Sequence, residues 1–236
     1  MSPLNSLVSK NFAVATTFPK IVTDGLVLHL DAGQQNSYVS GTTWKDLSGN
    51  GNTGTLTNGA TFNNSNGGNI SFDGTDDYVS ISNNNILNPS LSMTLSVWIN
   101  ISSFVSFMNI FGKGTTTNGS GGYDFRIESN NQLNLVKYFV VDQRVTLSQT
   151  LSTNTWYNIV AVQSSAKVDY FVNGSNVGNY TNSSSYQTNT AEFRIARTRD
   201  ATYTPANIAN ILFYKKILTA AEVKQNFDAL KSRFGI

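Results

Sequence analysis

From residue 26 onward, apolar and polar residues alternate in short runs, and Gly, Asn and Asp punctuate the gaps. In Leu26-Val27-Leu28-His29-Leu30-Asp31 the three leucines fall on one face, the period-two pattern of a half-buried strand. Residues 69–72 and 78–81 repeat that pattern on either side of the turn-rich Asp73-Gly74-Thr75-Asp76-Asp77. The run 91–99 is the clearest, with Leu91, Met93, Leu95, Val97 and Ile99 on one face and Trp98 on the other. Further strands are predicted over 107–112, 123–127, 133–136, 156–162, 168–172, 175–180, 191–196 and 208–214. Asn130-Asn131 and Asn173-Gly174 mark hairpin turns. The second is the stronger signal, because a type I′ turn needs positive φ at both central residues.

Helical spacing stands out once, at the end of the chain. Thr219-Ala220-Ala221-Glu222 has the form of a capping box. Val223, Phe227, Leu230 and Phe234 then recur so that one helical face packs on the sheets. Short strands with turns every roughly 8–12 residues predict a sandwich or barrel. No internal repeat or composition shift divides the chain. The expected organisation is an N-terminal arm over residues 1–24 and one β domain over residues 25–236.

Composition narrows the partners. Charged residues make up 13% of the chain, against roughly 25% in ordinary soluble domains, so a long charged helical bundle is excluded. The 16 Lys and Arg against 14 Asp and Glu form no cluster larger than Lys215-Lys216. Without a phosphate-tracking stripe, nucleic acid is not an expected partner. No apolar run approaches the roughly 20 residues of a membrane span, and the first 15 residues lack the pattern of a signal peptide. There is no Cys, hence no disulfide and no thiolate metal site.

Several segments in order resemble one family. They are Gly25–Asp31, Trp44-Lys45-Asp46-Leu47-Ser48-Gly49-Asn50-Gly51-Asn52, Ile70–Val79, Leu95-Ser96-Val97-Trp98-Ile99, Trp156-Tyr157-Asn158-Ile159-Val160, Tyr170-Phe171-Val172-Asn173-Gly174 and Ile217–Val223. Together they resemble the concanavalin A-like, laminin G-like jelly roll. The resemblance implies an all-β fold: a two-sheet antiparallel jelly-roll β-sandwich with one C-terminal helix and an N-terminal arm. It says little about function, because the fold serves lectins, adhesion modules, glycosidases and phage virion proteins alike. The Asn/Thr/Gly-rich composition and the closing Phe227–Gly235 are similar to phage structural proteins that carry this domain.

Catalytic signals are sparse. Glycoside cleavage usually needs two carboxyl groups about 5–9.5 Å apart, and laminarinase-like enzymes of this fold space them Glu-x-Asp-x-x-Glu. The three Glu, at 128, 192 and 222, fall in no such pattern, and Glu222 belongs to the helix cap. His29, the only histidine, alternates with leucines on a strand and reads as a packed residue. Neither a zinc-binding nor a nucleotide-binding motif is present. The expectation is a non-enzyme.

Calcium is the one candidate cofactor. Asp46-x-Ser48-x-Asn50-Gly51 imitates the start of a calcium loop but lacks its closing Glu, and a tight turn explains it equally. Asp73, Asp76 and Asp77 crowd three acids into five residues, which a cation would relieve. For glycans, an aromatic platform with nearby amides and hydroxyls is needed; Tyr38, Trp44, Tyr123, Tyr186 and Tyr203 are the loop candidates. Trp98 and Trp156 are reserved for packing.

The arm carries Leu4, Leu7, Val8, Phe12, Val14 and Phe18, more apolar residues than a solvated tail should. Packing on a neighbouring subunit would account for them, and so would packing on the chain's own sheet. The leading expectation is a non-catalytic subunit on a phage-like particle, a head decoration or fibre-type protein. It would form a homo-oligomer, meet other virion proteins, adhere to surface glycans and insert in no membrane. The alternative is a carbohydrate-binding lectin module of a secreted bacterial enzyme or adhesin.

Overall fold

The computed structural model describes residues 19–114, 121–128, 132–137, 150–181, 186–198 and 200–236, together with the backbone of 141–146. In chain order its strands are β1 Leu26–Asp31, β2 Thr43–Trp44, β3 Gly54–Thr57, β4 Thr61–Asn63, β5 Asn69–Phe72, β6 Tyr78–Ile81, β7 Met93–Ile101 and β8 Met108–Gly114. They continue with β9 Gly122–Glu128, β10 Gln132–Lys137, β11 Val141–Thr146, β12 Trp156–Gln163, β13 Lys167–Val172, β14 Ser175–Thr181, β15 Phe193–Ile195 and β16 Ala206–Tyr214. One α-helix follows, α1 Ala220–Leu230.

The strands form two antiparallel sheets. Sheet A runs β14-β13-β12-β7-β16-β5-β4, with β1 also paired to β16, and sheet B runs β11-β10-β9-β8-β15-β6-β3-β2. The core between them is the apolar alternation made physical. Leu95, Val97 and Ile99 of β7 stand opposite Ala161, Ile159 and Tyr157 of β12 on one side, and opposite Phe213, Ile211 and Ile208 of β16 on the other. All belong to one buried cluster with Val79, Ile81, Phe125, Leu133 and Ile195 of sheet B. β16 keeps its apolar residues inward across a bulge between Ile208 and Asn210, which turns the extra residue, Ala209, outward.

Sheet A is covered on its other face too. Val160, Val162, Phe171, Leu212 and Tyr214 point away from the core and meet Leu218 and Val223. Trp98, on the outward side as its alternation predicts, stacks on Phe227 at 5.6 Å and on Phe234 at 4.1 Å. The capping box at Thr219 and Glu222 forms and starts the helix where this apolar surface begins. Asn173 and Gly174 take φ of 49° and 76°, as a type I′ turn requires. A side chain on Gly174 would come within 3.0 Å of Phe227, so the hairpin tip sits under the helix.

Residues 19–24 join this outer layer. The Val22 N–H donates to Asn226 Oδ1 at 2.7 Å, the Tyr214 hydroxyl to the Val22 carbonyl at 2.9 Å, and Gln225 Nε2 to the Lys20 carbonyl at 2.7 Å. The described end of the arm therefore packs on its own domain. Its apolar positions Leu4, Leu7, Val8, Phe12, Val14 and Phe18 lie outside the described residues.

The C-terminus is pinned by Arg233. Its guanidinium donates to Asp31 Oδ1 at 2.6 Å, to the Asn66 carbonyl at 2.6 Å and to the Gly68 carbonyl. Asp31 is 1% exposed, so removing the cation leaves a buried charge without its counter-ion.

One end of the sandwich buries lysines. Lys113 and Lys137 follow the inward alternation of β8 and β10, and both flank Tyr123. The Lys113 ammonium donates to Asn88 Oδ1 at 2.8 Å and to the Asn189 carbonyl at 2.7 Å, while Lys215 reaches the Asn88 carbonyl. Burial lowers the pKa of each of the three lysines to about 8, and at Lys113 the nearby Lys215 charge adds to the lowering.

Arg233→Ala should lower the unfolding free energy by about 3 kcal/mol, measured by urea titration. A change below the error of that titration would show that Asp31 does not depend on the pair. The lysines set a pH profile. Between about pH 8 and 10.5 the unfolded chain keeps protons that the folded chain has released, so stability rises with pH. Above pH 10 the trend reverses, because burial raises the pKa of Tyr170 and Tyr214 and the unfolded chain ionises first. The thermal midpoint should climb from pH 8 to about 9.5 and fall beyond about 10.5, with the climb reduced in Lys113→Met.

Candidate functional site: the outer face of sheet B

Sheet B contrasts with sheet A, because its outward positions are mainly polar, Val136 and Tyr78 excepted. In β9, Asp124, Arg126 and Glu128 alternate with the core residues Tyr123, Phe125 and Ile127. Cross-strand register sets Asn134, Arg126 and Asn109 in one outer row, and Asp124, Gly112, Arg194 and Ser80 in the next. Gly112 is required there: a side chain on it would meet Asp124 Oδ1 at 2.1 Å, because the carboxylate lies over the glycine.

A bulge aims the rest of the site. The β8–β9 register shifts between Asn109 and Phe111, and the carbonyl of the extra residue, Ile110, accepts the Ala196 N–H at 3.0 Å. Ala196 sits at φ 62°, a left-handed conformation that costs a non-glycine residue of the order of 1 kcal/mol and persists only where neighbours hold it. The holding bonds are present. Thr204 N–H donates to the Ala196 carbonyl at 2.9 Å, Thr204 Oγ1 to the Asn109 carbonyl at 2.8 Å, and Asn109 Nδ2 to the Arg197 carbonyl at 2.6 Å. Arg197 and Tyr203 then pair in a bridge, and Thr198, Asp200 and Thr202 face the outward Arg126 of sheet B across a cleft.

Arg197 lands between two rings, its guanidinium carbon 4.7 Å from the centre of Tyr78 and 5.6 Å from that of Tyr203. Nearby, Phe107 is 48% exposed at φ 58°, and the Arg126 guanidinium lies 5.8 Å from its ring centre. Phe107, Arg126, Thr198, Asp200 and Thr202 line a cleft of about 150 Å³. Arg126 donates to Asp124 from Nε at 3.0 Å and from the terminal nitrogen at 2.5 Å. Glu192 accepts from Arg194 at 2.6 Å, and Glu128 from Asn134 Nδ2 at 3.0 Å. Aromatic faces, fixed guanidinium forks and paired hydroxyls suit a ligand with an apolar ring face and polar edges.

Of the five aromatic residues read from the sequence as glycan contacts, this face gathers Tyr203 alone. Trp44 and Tyr123 are corrections: both are fully buried on strands rather than in loops, so neither offers a ring face. Tyr38 is likewise buried, stacked on Phe62 at 5.0 Å, with its hydroxyl donating to the Gly41 carbonyl at 2.9 Å. The Tyr186 hydroxyl donates to Gln163 Oε1 at 2.7 Å, and the Lys137 ammonium sits 4.5 Å from its ring centre, at the buried end of the sandwich. Phe107, Tyr78, Arg126 and Arg197 complete the site, and sequence reading missed them. The outward phase of Arg126, between Phe125 and Ile127, was its one visible signal.

The acidic candidates separate as well. Asp46 is buried and its carboxylate accepts from the backbone of His29, Ser48 and Asn52 and from the Ser48 hydroxyl. Those four donors fill its acceptor sites, so Asp46 organises a turn and has no oxygen to spare for calcium. Carboxylate oxygens of Asp73, Asp76 and Asp77 do lie within 4.8 Å of one another, a part of the roughly 6–8 oxygens that calcium takes. Asp73 accepts the Thr75 N–H at 2.7 Å, which holds its carboxyl below the ordinary range, and Asp77 accepts the Asp73 N–H at 3.0 Å while burial pushes its carboxyl up.

Comparison with known proteins fits this architecture. Domain 4 of AbnA, an extracellular GH43 arabinanase of Geobacillus stearothermophilus solved with arabinotriose, superposes with a TM-score of 0.70 at 15% identity over 85% of this chain and 97% of that one. The binding domain of Paraclostridial mosquitocidal protein 1 gives 0.68 at 18% identity, over 87% of this chain and 52% of that one. Trypanosoma rangeli sialidase gives 0.66 at 15% identity over 89% of this chain, which spans only 33% of the sialidase. At such identities the likeness is one of fold. No curated protein sequence matches the chain. A family model does, over residues 72–224 of the two sheets and the helix start, and by that match the chain belongs to the concanavalin A-like lectin/glucanase superfamily.

Proposed function

We propose that the protein is a non-catalytic carbohydrate-binding module that holds a sugar on the outer face of sheet B. The observation that carries this reading is the cleft that Phe107, half exposed, lines with Arg126, Thr198, Asp200 and Thr202, beside the Arg197 guanidinium held between the rings of Tyr78 and Tyr203. Rings take the apolar face of a pyranose or furanose, and the fork and hydroxyl groups take its oxygens. The similarity in fold to an arabinanase domain solved with arabinotriose supports an oligosaccharide as the ligand class.

The carboxylates on β9 support binding rather than hydrolysis. Asp124 and Glu128 share a face of β9 four residues apart, about 13 Å along the strand, beyond the about 5–9.5 Å of a glycosidase pair. Asp124 is gripped by the Arg126 fork, whereas a general acid must hold a proton to deliver. A subunit on a phage-like particle is the second proposal. It needs the arm to seat on a neighbour, and oligomeric mass after removal of residues 1–18 decides it.

Titration calorimetry against arabinan, xylan and sialylated oligosaccharides should find a ligand whose affinity falls at least about tenfold in Phe107→Ala and in Tyr203→Ala, with the thermal midpoint unchanged. Full affinity in both variants would move the site elsewhere. Incubation of the bound ligand with the protein should release no reducing ends.

A further inference from the structure

On the far side of the molecule, between the outer layer of sheet A and the loops that follow β1, lies a groove of about 630 Å³. That volume falls within the range of small-molecule sites, roughly 300–1,000 Å³. Its walls are aliphatic, with Leu26, Leu47 and Leu230 among them, and its polar groups include His29, Gln34 and Asn36. His29 points outward from β1, between the core leucines Leu28 and Leu30. It is only 8% exposed, yet its imidazole has no hydrogen-bond partner among the described residues. The backbone of His29 is engaged, its N–H donating to Asp46 Oδ1 at 2.9 Å and its carbonyl accepting from Leu47. The ring is therefore held by its strand, with its nitrogens unspent on the protein and open to the groove, where a ligand can pair with them.

We propose that this groove is a second binding site, for an uncharged small molecule with an apolar body and a hydroxyl or amide group that pairs with His29. The charge assignment comes from the lining. Burial lowers the His29 pKa, against the opposing pull of Asp31 and Asp46, so the ring is neutral near pH 7 and both donates and accepts. Those two carboxylates are turned to other partners: Asp31 to Arg233, and Asp46 to its turn. Lys20 is the one charged residue on the groove's rim among the described residues. Aliphatic walls reward an apolar ring or chain, and the carboxamides of Gln34 and Asn36 can serve a second polar group. The site is separate from the cleft on sheet B and stands or falls without it.

His29 is the only histidine in the chain, so its imidazole carbon-bound protons give a single proton NMR reporter. Cyclohexanol, titrated into the full chain at pH 7.5, should shift that signal saturably, with half-saturation on the order of 1 mM, well within the affinity ceiling for so small a ligand. Cyclohexanecarboxylate and cyclohexylammonium should bind at least about tenfold more weakly, the cost of desolvating a charge. Leu230→Trp, which fills the groove, should abolish the shift. Asn36→Ala, a change at an exposed residue, should weaken binding severalfold with the thermal midpoint unchanged. A signal that does not move, equal binding of the charged analogues, or a full shift in Leu230→Trp would each overturn the site. So would a shift that appears only after residues 1–18 are removed, since the groove would then be filled by the chain itself.

Discussion

Sheet A is apolar on both faces and sheet B mainly on one, and most of what distinguishes this molecule follows from that asymmetry. The strands of sheet A carry apolar residues in both phases: Leu95 and Val97 face the core while Trp98 faces out, and Ala161 faces in while Val160 and Val162 face out. A sheet with two apolar faces must be covered twice. The C-terminal helix, the Lys231–Phe234 turn after it and residues 19–24 provide the second cover, with the Trp98–Phe234 stack at its centre. Sheet B carries Asp124, Arg126, Asn134 and Arg194 in its outward phase, so its outer face is held by polar pairs rather than by an apolar layer.

That division was largely legible in the sequence, because period-two alternation is a direct record of which side of a strand is dry. The run 91–99 assigned both faces of β7, and Asn173-Gly174 and the Thr219 capping box fixed a turn and a helix start. What alternation does not record is which strands become neighbours. Arg197, Tyr78 and Phe107 lie far apart in sequence and meet through the bulge at Ile110 and the positive φ of Ala196, neither of which has a side-chain signature. Ala is a poor marker for a left-handed position, so the loop over residues 197–203 could not be aimed in advance. Trp44 failed for the opposite reason: a two-residue strand is too short to show a period, and its polar surroundings read as loop.

The same outward phase bears on chemistry. Hydrolysis on this kind of face would need acids near each other and in different protonation states. Here the acids alternate with arginines, Asp124 with Arg126 and Glu192 with Arg194, at a spacing of two. Two residues apart on a strand is the same face, so each acid and its arginine pair locally and neither is free to poise the other for proton transfer. Arginine forks fixed in this way become rigid donors, which suits holding a polyhydroxylated ligand in one orientation.

A chain without cysteine must hold its ends by other means. Arg233 reaches Asp31 and Asn226 reaches Val22, contacts that span 202 and 204 residues. Closing a loop of that length costs only slightly more entropy than closing one half as long, so a few well-buried polar contacts, added to the aromatic stack beneath them, are enough to keep both termini on sheet A. The consequence is directional: residues 19–24 and the Lys231–Phe234 turn both lie on the outer layer of sheet A, the face opposite the polar surface of sheet B.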